Sequence, residues 1–181
     1  AAKRDMDRFL LKAEADGYSQ VLCSYARIGL GFDSLRKELG RIPDNSPDGG
    51  MPAPDMMLGS SAVCDPRFKW YQAASRYLDV PTFGMDVVAP PPQDDLNEVR
   101  DYYIQYQRDQ VQGLIDFLEA QTGKKLDKER LWECIRLGDK AWQLWYDIDR
   151  LRVAVPSPMP SQDHFSIMVP GHYYAGTQIA V

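Results

Sequence analysis

The chain has 181 residues, 44% of them hydrophobic, a composition that supports a folded core and argues against disorder. The net charge of −5, without a basic patch, argues against general nucleic-acid binding. No apolar run approaches the roughly 20 residues that span a bilayer, and the three cysteines cannot all pair with one another, so we expect a cytoplasmic protein without a membrane segment.

The beginning of the chain predicts two helices and a loop. Apolar residues repeat at helical spacing from Met6 to Ala13, and Gly17 is a plausible stop. A second helix is predicted after Cys23, loosened by two internal glycines. Residues 41–54 are rich in Pro, Gly, Asp and Asn, which indicates an exposed loop.

The middle of the chain predicts alternating strands and helices. Residues 55–59 and 82–88 have the pattern of buried strands, with a helix over residues 66–78 between them. Two long helices follow, one from about Asp95 to Gln121 and one capped by Asp127. This order predicts an α/β fold with a parallel sheet flanked by helices, and long helices after the second strand.

The ends of the chain indicate a piece of a longer polypeptide. The first residue is Ala, and residues 173–181 resemble the start of another apolar element. We therefore expect an incomplete α/β domain with a helical part over residues 1–153, then a proline-rich linker and the start of a further segment over residues 154–181. A processed or trimmed chain is the alternative.

Two cysteines stand where a loop passes into a predicted helix. Cys23 precedes one helix, and Cys64 precedes another with Pro66 in its first turn. A helix N-terminus offers free N–H groups and positive potential, which favour the thiolate that binds metal. About 41 residues separate the two, so they are candidate ligands brought together by the fold. Buried, unligated cysteines are the alternative, and Cys134 is expected to pack on an apolar helix face.

Four segments together resemble the benzoyl-CoA reductase and 2-hydroxyacyl-CoA dehydratase family, in particular its B-type subunits. The resemblance runs from about Leu10 to Val153 and is carried by residues 23–27, 51–58, 64–71 and 77–81. It implies a flavodoxin-like fold and a [4Fe-4S] cluster held through three cysteines. Cys23 and Cys64 match the first two ligands, and the third lies far downstream in the family, whereas no cysteine follows Cys134 here.

The resemblance also implies a reaction and its partners. The main interpretation is a catalytic subunit of a benzoyl-CoA reductase-like enzyme, which carries out ATP-coupled, low-potential reduction of an aromatic acyl-CoA thioester. One alternative is a 2-hydroxyacyl-CoA dehydratase acting through a ketyl radical, and another is a non-catalytic scaffold or partner-binding subunit. The implied partners are a homologous second catalytic subunit, an ATP-hydrolysing iron–sulfur activator and the acyl-CoA substrate. The chain itself has no G-x-x-x-x-G-K-[ST] phosphate loop.

Hydroxyl groups beside the two cysteines are candidates to tune the cluster. Ser24 and Ser61 could donate hydrogen bonds to sulfur, so we assign them with Cys23 and Cys64 to cofactor binding. Loop or cap serines are the alternative. Arg27 could stabilise an anionic cluster, contact a CoA phosphate or form a surface ion pair.

Two histidines and several tryptophans carry weaker signals. His164 and His172 are candidate proton shuttles in a predicted polar loop, although a structural role is the alternative, and no catalytic residue is assigned. Aromatic residues at helical spacing predict core packing of a helix, or alternatively a wall for an acyl group. They are Trp132, Trp142, Trp145 and Tyr146.

Overall fold

The computed structural model describes the backbone of residues 2–62 and 64–181, and their side chains except those of residues 2–5, 165 and 168–170. The chain forms two compact units, one up to Gly123 and one from Lys124 onward. The predicted division into residues 1–153 and 154–181 differs from these units and stays a prediction. None of the helices in the described ranges is long and apolar enough to cross a bilayer.

Over residues 2–62 and 64–123, the first unit contains four helices and two short strands. The helices are α1 (Ala2–Ala15), α2 (Ser24–Leu39), α3 (Asp65–Leu78) and α4 (Leu96–Thr122). The strands are β1 (Met57–Ser60) and β2 (Thr82–Met85), and a short 3-10 turn (Pro47–Gly49) lies within the predicted loop.

Caps of the expected kind set the helix ends. The Asp95 carboxylate accepts a hydrogen bond from the Asn97 amide at 2.8 Å and begins α4. Left-handed glycines end two helices, since Gly40 has φ 66° after α2 and Gly123 has φ 68° after α4. These boundaries follow directly from local sequence.

The two strands pair in parallel, with Met57 opposite Thr82 and Ser60 opposite Met85. Since α3 connects them, the predicted α/β order is confirmed, although the described chain is mostly helical and its sheet has two strands. β2 is shorter than predicted because the Asp86 amide donates to the Gln110 side chain of α4 at 3.0 Å.

The core of the first unit lies among its first three helices. The rings of Phe9 and Phe32 meet edge to face at 5.4 Å, and both side chains are buried. The two glycines of α2 do not loosen it, contrary to expectation. Both are buried, and a Cβ would lie 2.1 Å from the Trp70 ring at Gly29 and 1.9 Å from the Phe9 carbonyl at Gly31. They permit the helices to pack closely.

The second unit is built on α5 (Lys128–Leu151) and α6 (Ser161–Tyr173), which pack together. The predicted cap of α5 is confirmed, because the Asp127 carboxylate accepts from the Arg130 amide at 2.9 Å. The sequence pattern does not predict α6.

Candidate functional site

Cys23 is the N-cap residue of α2. Its carbonyl oxygen accepts the first helical hydrogen bond, from the Arg27 amide at 3.0 Å, whereas its thiol forms no capping bond. The residue is exposed and forms no disulfide. The sulfur therefore stands free at the positive end of a 16-residue helix.

Cys64 occupies the equivalent position on α3. Its carbonyl accepts from the Phe68 amide at 3.3 Å, its thiol forms no capping bond, and Pro66 lies in the first turn as predicted. The thiol is exposed and unpaired. Since β1 ends at Ser60, Cys64 follows the carboxyl end of a parallel strand, where α/β proteins gather ligands.

The helices α2 and α3 pack side by side and run in the same direction. Near their beginnings, the Trp70 indole lies against Gly29. Near their ends, the Lys37 ammonium lies 6.0 Å from the centre of the Tyr77 ring. The N-terminal half of α2 thus contacts the N-terminal half of α3, and the C-terminal ends of the two helices contact each other. The two helices are therefore parallel, and their N-termini lie at the same end of the pair.

This orientation brings the predicted ligands to one end of the first unit. Cys23 lies six residues before Gly29, and Cys64 lies six residues before its neighbour Trp70. At about 1.5 Å of rise per residue, each N-cap lies about 9 Å along its helix from that contact. Ligation of a metal by both cysteines stays a prediction.

Arg27 forms an ion pair instead of facing solvent. Its guanidinium lies 2.6 Å from Glu14 of α1, and its Nε donates to the Leu22 carbonyl at 3.2 Å. The side chain is only 13% exposed. Of the three roles considered, the ion pair is the one present, and it fixes the backbone immediately before Cys23.

Ser61 belongs to a network at the carboxyl ends of the strands. Its hydroxyl donates to Asp86 at 2.7 Å and accepts from the Val87 amide at 2.8 Å. The Tyr106 hydroxyl donates to the same carboxylate at 2.9 Å. The Ser61 and Tyr106 hydrogen bonds lower the pKa of Asp86. The hydroxyl of Ser61 thus joins the two strand ends, and its bond to a cluster sulfur stays a prediction.

Ser24 and Tyr25, the first residues of α2, are both exposed. Within the described ranges, the Ser24 hydroxyl has no hydrogen-bond partner, so its proton is available to a group placed beside Cys23. Its predicted bond to sulfur stays a prediction. The Tyr25 ring lines a cavity that the sequence reasoning missed.

This cavity, of about 370 Å³, lies along one face of α2. Tyr25, Ile28, Gly29 and Phe32 follow a helical stripe, which is the sequence signal that could have found it. The complete lining, from α1, α2, α3 and the loop over residues 47–51, is Met6, Phe9, Tyr25, Ile28, Gly29, Phe32, Pro47, Asp48, Gly50, Met51 and Trp70.

A buried carboxyl lies behind the cavity wall. Asp33 is 4% exposed and accepts a hydrogen bond from the Trp70 indole at 3.4 Å. Burial raises the pKa of Asp33 to about 6, although the Trp70 hydrogen bond and the Arg36 charge act in the opposite direction. The sequence reasoning missed this residue, because an aspartate inside an amphipathic helix is typical of its polar face.

Both histidines lie on α6, so the predicted polar loop around them is wrong. Nδ1 of His164 lies 3.7 Å from the Asp149 carboxylate of α5. His172 meets the stacked rings of Trp142 and Trp145 edge to face, at 5.5 and 5.6 Å. Their role as proton shuttles stays a prediction.

The other residues singled out on α5 divide into packed and exposed ones. Cys134 is half-buried beneath the turn at Gly176, whose Cβ would lie 3.1 Å from the cysteine Cβ, in agreement with the predicted packing role. Trp132, Trp142 and Tyr146 are 60%, 47% and 56% exposed, so the expectation of core packing is wrong for all three in this chain.

Within the described residues, no group of three or more His, Cys, Asp or Glu side chains is placed to hold a metal ion. The candidate centre therefore consists of two thiols, at the shared end of α2 and α3. A cluster at this position would need further ligands from outside these residues.

The comparison with known families identifies the class of protein. Residues 2–181 match the family described as 2-hydroxyglutaryl-CoA dehydratase, D-component. The chain belongs to this family, which confirms the resemblance drawn from residues 23–81.

Three relatives show the range of the family. The chain is 30% identical over 180 residues to the (R)-phenyllactyl-CoA dehydratase alpha subunit of Clostridium sporogenes, covering 99% of this chain and 41% of the relative. It is 32% identical over 169 residues to the (R)-2-hydroxyisocaproyl-CoA dehydratase alpha subunit of Clostridioides difficile, covering 93% and 38%. It is 29% identical over 175 residues to the B subunit of benzoyl-CoA reductase from Thauera aromatica, covering 92% and 35%. The chain thus spans about two-fifths of the length of these relatives.

Proposed function

We propose that the whole protein to which this chain belongs is the cluster-binding subunit of a 2-hydroxyacyl-CoA dehydratase. The family description and the names of the dehydratase relatives favour this alternative over benzoyl-CoA reductase. The main structural support for cluster binding is the position of Cys23 and Cys64. Each is a free N-cap thiol, and the two lie at the same end of two parallel, packed helices.

The residues at this end suit two of the ligands of a [4Fe-4S] cluster. Thiolates are the usual ligands of such clusters, and both thiols are exposed and free of capping bonds. Two helix N-termini add positive potential and unpaired N–H groups, which stabilise an anionic centre. The family resemblance adds a third cysteine from a later part of the protein.

When bound, the cluster would supply a low-potential electron to the thioester of an acyl-CoA. The chain's own residues would hold and orient it. Cys23 and Cys64 would ligate iron, and the hydroxyl of Ser24 would donate toward the sulfur of Cys23. Arg27 fixes the backbone before that ligand. Ser61 holds the turn that precedes Cys64.

The whole protein would also have a larger sheet and partner proteins. The parallel pair β1 and β2 is then part of a flavodoxin-like sheet completed by sequence outside this chain. The alpha-subunit relatives support a homologous second subunit as a partner. An ATP-hydrolysing iron–sulfur activator would deliver the electrons, and the assembly would work in the cytoplasm.

Iron content tests the metal centre. The full-length protein, purified without oxygen together with its partner subunit, should be brown. Cys23→Ser and Cys64→Ser should each lose most of the iron and the colour, whereas Cys134→Ser serves as the matched control and should keep both. A colourless wild-type protein that still binds its partner would favour the non-catalytic scaffold.

Turnover separates the two enzymatic candidates. With activator and ATP, the assembled enzyme should convert a 2-hydroxyacyl-CoA to the corresponding 2-enoyl-CoA with loss of water. Benzoyl-CoA serves as the competing substrate, because the Thauera aromatica relative keeps the reductase as a second candidate. Reduction of benzoyl-CoA without dehydration of any 2-hydroxyacyl-CoA would overturn the proposal.

A further inference from the structure

We propose that the cavity beside α2 holds the side chain of the substrate's acyl group, and that it selects apolar acyl groups against acidic ones. This inference rests on the proposed function and narrows its substrate class. The family includes enzymes named for both kinds of substrate, the apolar isocaproyl group and the acidic glutaryl group. The lining of the cavity decides between them for this chain.

The cavity lies within reach of the candidate cluster. Its wall includes Tyr25 and Ile28, which follow Cys23 by two and five residues on the same helix. At about 1.5 Å per residue, these positions lie about 3 and 7.5 Å along the axis from that cysteine. A thioester held at the cluster would therefore extend an acyl side chain of a few carbons toward this wall.

The lining is apolar at its centre. Ile28, Phe32 and Trp70 present aliphatic and aromatic surface, and Met6 and Met51 add flexible thioether side chains. Trp70 directs its one polar hydrogen to Asp33 behind the wall. A volume of about 370 Å³ lies within the range of small-molecule sites and accommodates a branched or aromatic side chain.

The charges around the cavity are unfavourable for an acidic acyl group. Asp48 is part of the lining and Asp33 lies behind Trp70, whereas the described lining residues include no lysine, arginine or histidine. Two arginines lie nearby but are not part of the lining: Arg8 lies over the Phe9 ring at 4.6 Å, and Arg36 donates to the backbone carbonyls of Met51 and Pro52 at 3.2 and 3.0 Å. A carboxylate at the apolar centre of the cavity would lose hydration without a cationic side chain in the lining.

A competing occupant is a segment of this polypeptide from outside the described residues, which would fill the cavity with protein. If protein filled the cavity, substitutions in its lining would not change which acyl-CoA the enzyme prefers. If the acyl group fills it, the same substitutions would change that preference.

The experiment uses the full-length protein assembled with its partner subunit. Met51→Arg introduces a cation at the edge of the cavity, where Met51 is 46% exposed. Leu39→Arg is the matched control, because Leu39 is 47% exposed at the end of α2 and does not line the cavity. Ile28→Phe, a second variant, reduces the volume without adding charge.

Two readouts are compared for each variant. Binding is measured by calorimetry with isocaproyl-CoA and glutaryl-CoA, which lack the reactive hydroxyl. Turnover is measured as kcat/KM for (R)-2-hydroxyisocaproyl-CoA, (R)-2-hydroxyglutaryl-CoA and lactoyl-CoA. Iron content and circular dichroism establish that each variant is folded.

We expect wild type to prefer the isocaproyl substrate, and Met51→Arg to shift the ratio of the two kcat/KM values toward the glutaryl substrate by about tenfold or more. Ile28→Phe should lower the isocaproyl-to-lactoyl ratio by a similar factor, and Leu39→Arg should change neither ratio. Binding constants should follow the same order.

The failures of the two proposals differ. Unchanged selectivity in Met51→Arg and Ile28→Phe, with turnover retained, would overturn the acyl cavity and leave the dehydratase intact. Absence of turnover, with isocaproyl-CoA binding still weakened by both variants, would overturn the dehydratase and support the cavity. Wild type that binds glutaryl-CoA as tightly as isocaproyl-CoA, or binds neither, would overturn the cavity.

Discussion

The Trp70 indole fills the space that a side chain at Gly29 would occupy, because a Cβ there would lie 2.1 Å from the ring. This contact sets the depth to which α3 packs against α2. Since each residue lies six positions after a capping cysteine, the same contact aligns the two N-termini.

Gly29→Ala is therefore expected to separate the helices. Overpacking at a contact this close costs about 1–3 kcal/mol in the free energy of unfolding, and the full-length protein should show a lower thermal midpoint and lower iron content. Gly113→Ala on α4 is the control, since its Cβ would make an ordinary contact with Phe83 at 3.4 Å. That control should be neutral or slightly stabilising. Equal behaviour of the two variants would argue against this role of Gly29.

Arg27→Gln tests whether the Arg27 side chain holds the backbone before Cys23 in place. The variant removes the ion pair with Glu14 and weakens the hold on the Leu22 carbonyl, leaving a partly buried carboxylate without its cation. We expect a loss of about 1–3 kcal/mol in stability, together with faster release of iron to a chelator. Arg41→Gln, which removes an exposed pair, should leave both measurements at the wild-type value.

Asp33 should make the stability of the protein depend on pH in the mildly acidic range. Its pKa rises from near 3.8 to about 6 on folding, so between these values the folded state binds more protons than the unfolded state. The contribution of Asp33 to the free energy of unfolding is therefore most favourable below about pH 4, and this contribution is lost as the pH rises through 6.

Asp33→Asn removes this dependence, since the amide keeps an acceptor for Trp70 and carries no charge. At pH 7 the variant should be more stable by about 1–3 kcal/mol. Thermal midpoints of the metal-free full-length protein between about pH 4.5 and 7.5 provide the measurement, because this range spans the titration of the folded carboxyl. Asp101→Asn, an exposed change on α4, should retain the wild-type slope. A wild-type slope in Asp33→Asn as well would contradict the raised pKa.

The two serines assigned to cofactor binding should differ in their effects. Ser24→Ala removes a free, exposed hydroxyl, so folding and iron content should be unchanged while the reduction potential of the centre falls, because a hydrogen bond to sulfur is lost. Ser61→Ala leaves the Val87 amide without its acceptor and leaves the Asp86 carboxylate with Tyr106 as its hydroxyl donor. It should lower the thermal midpoint and the iron content together. Redox titration followed by thermal denaturation distinguishes the two, and a Ser24→Ala potential equal to wild type would remove Ser24 from the site.

Local sequence predicted the helix and strand order because its signals are short-ranged. Asp127 as a cap and Pro66 in a first turn were each identified from a few neighbouring residues, and the structure agrees with both. The helix α6 was missed, since its amphipathic pattern is weak and it carries Pro170 and Gly171 in its last turn. Membership of the family also followed from sequence, through the residues around the two cysteines, whereas the main interpretation as a benzoyl-CoA reductase is less well supported than the dehydratase alternative.

The sequence by itself determined which residues begin α2 and α3, and that each beginning carries a thiol. Only the tertiary structure decided that the two beginnings lie at one end, that Gly29 receives Trp70, and that Asp33 lies buried behind an apolar cavity. The reason is physical: a cap depends on hydrogen bonds within one turn of the chain, whereas a shared end, a close contact and a cavity depend on residues about 40 positions apart.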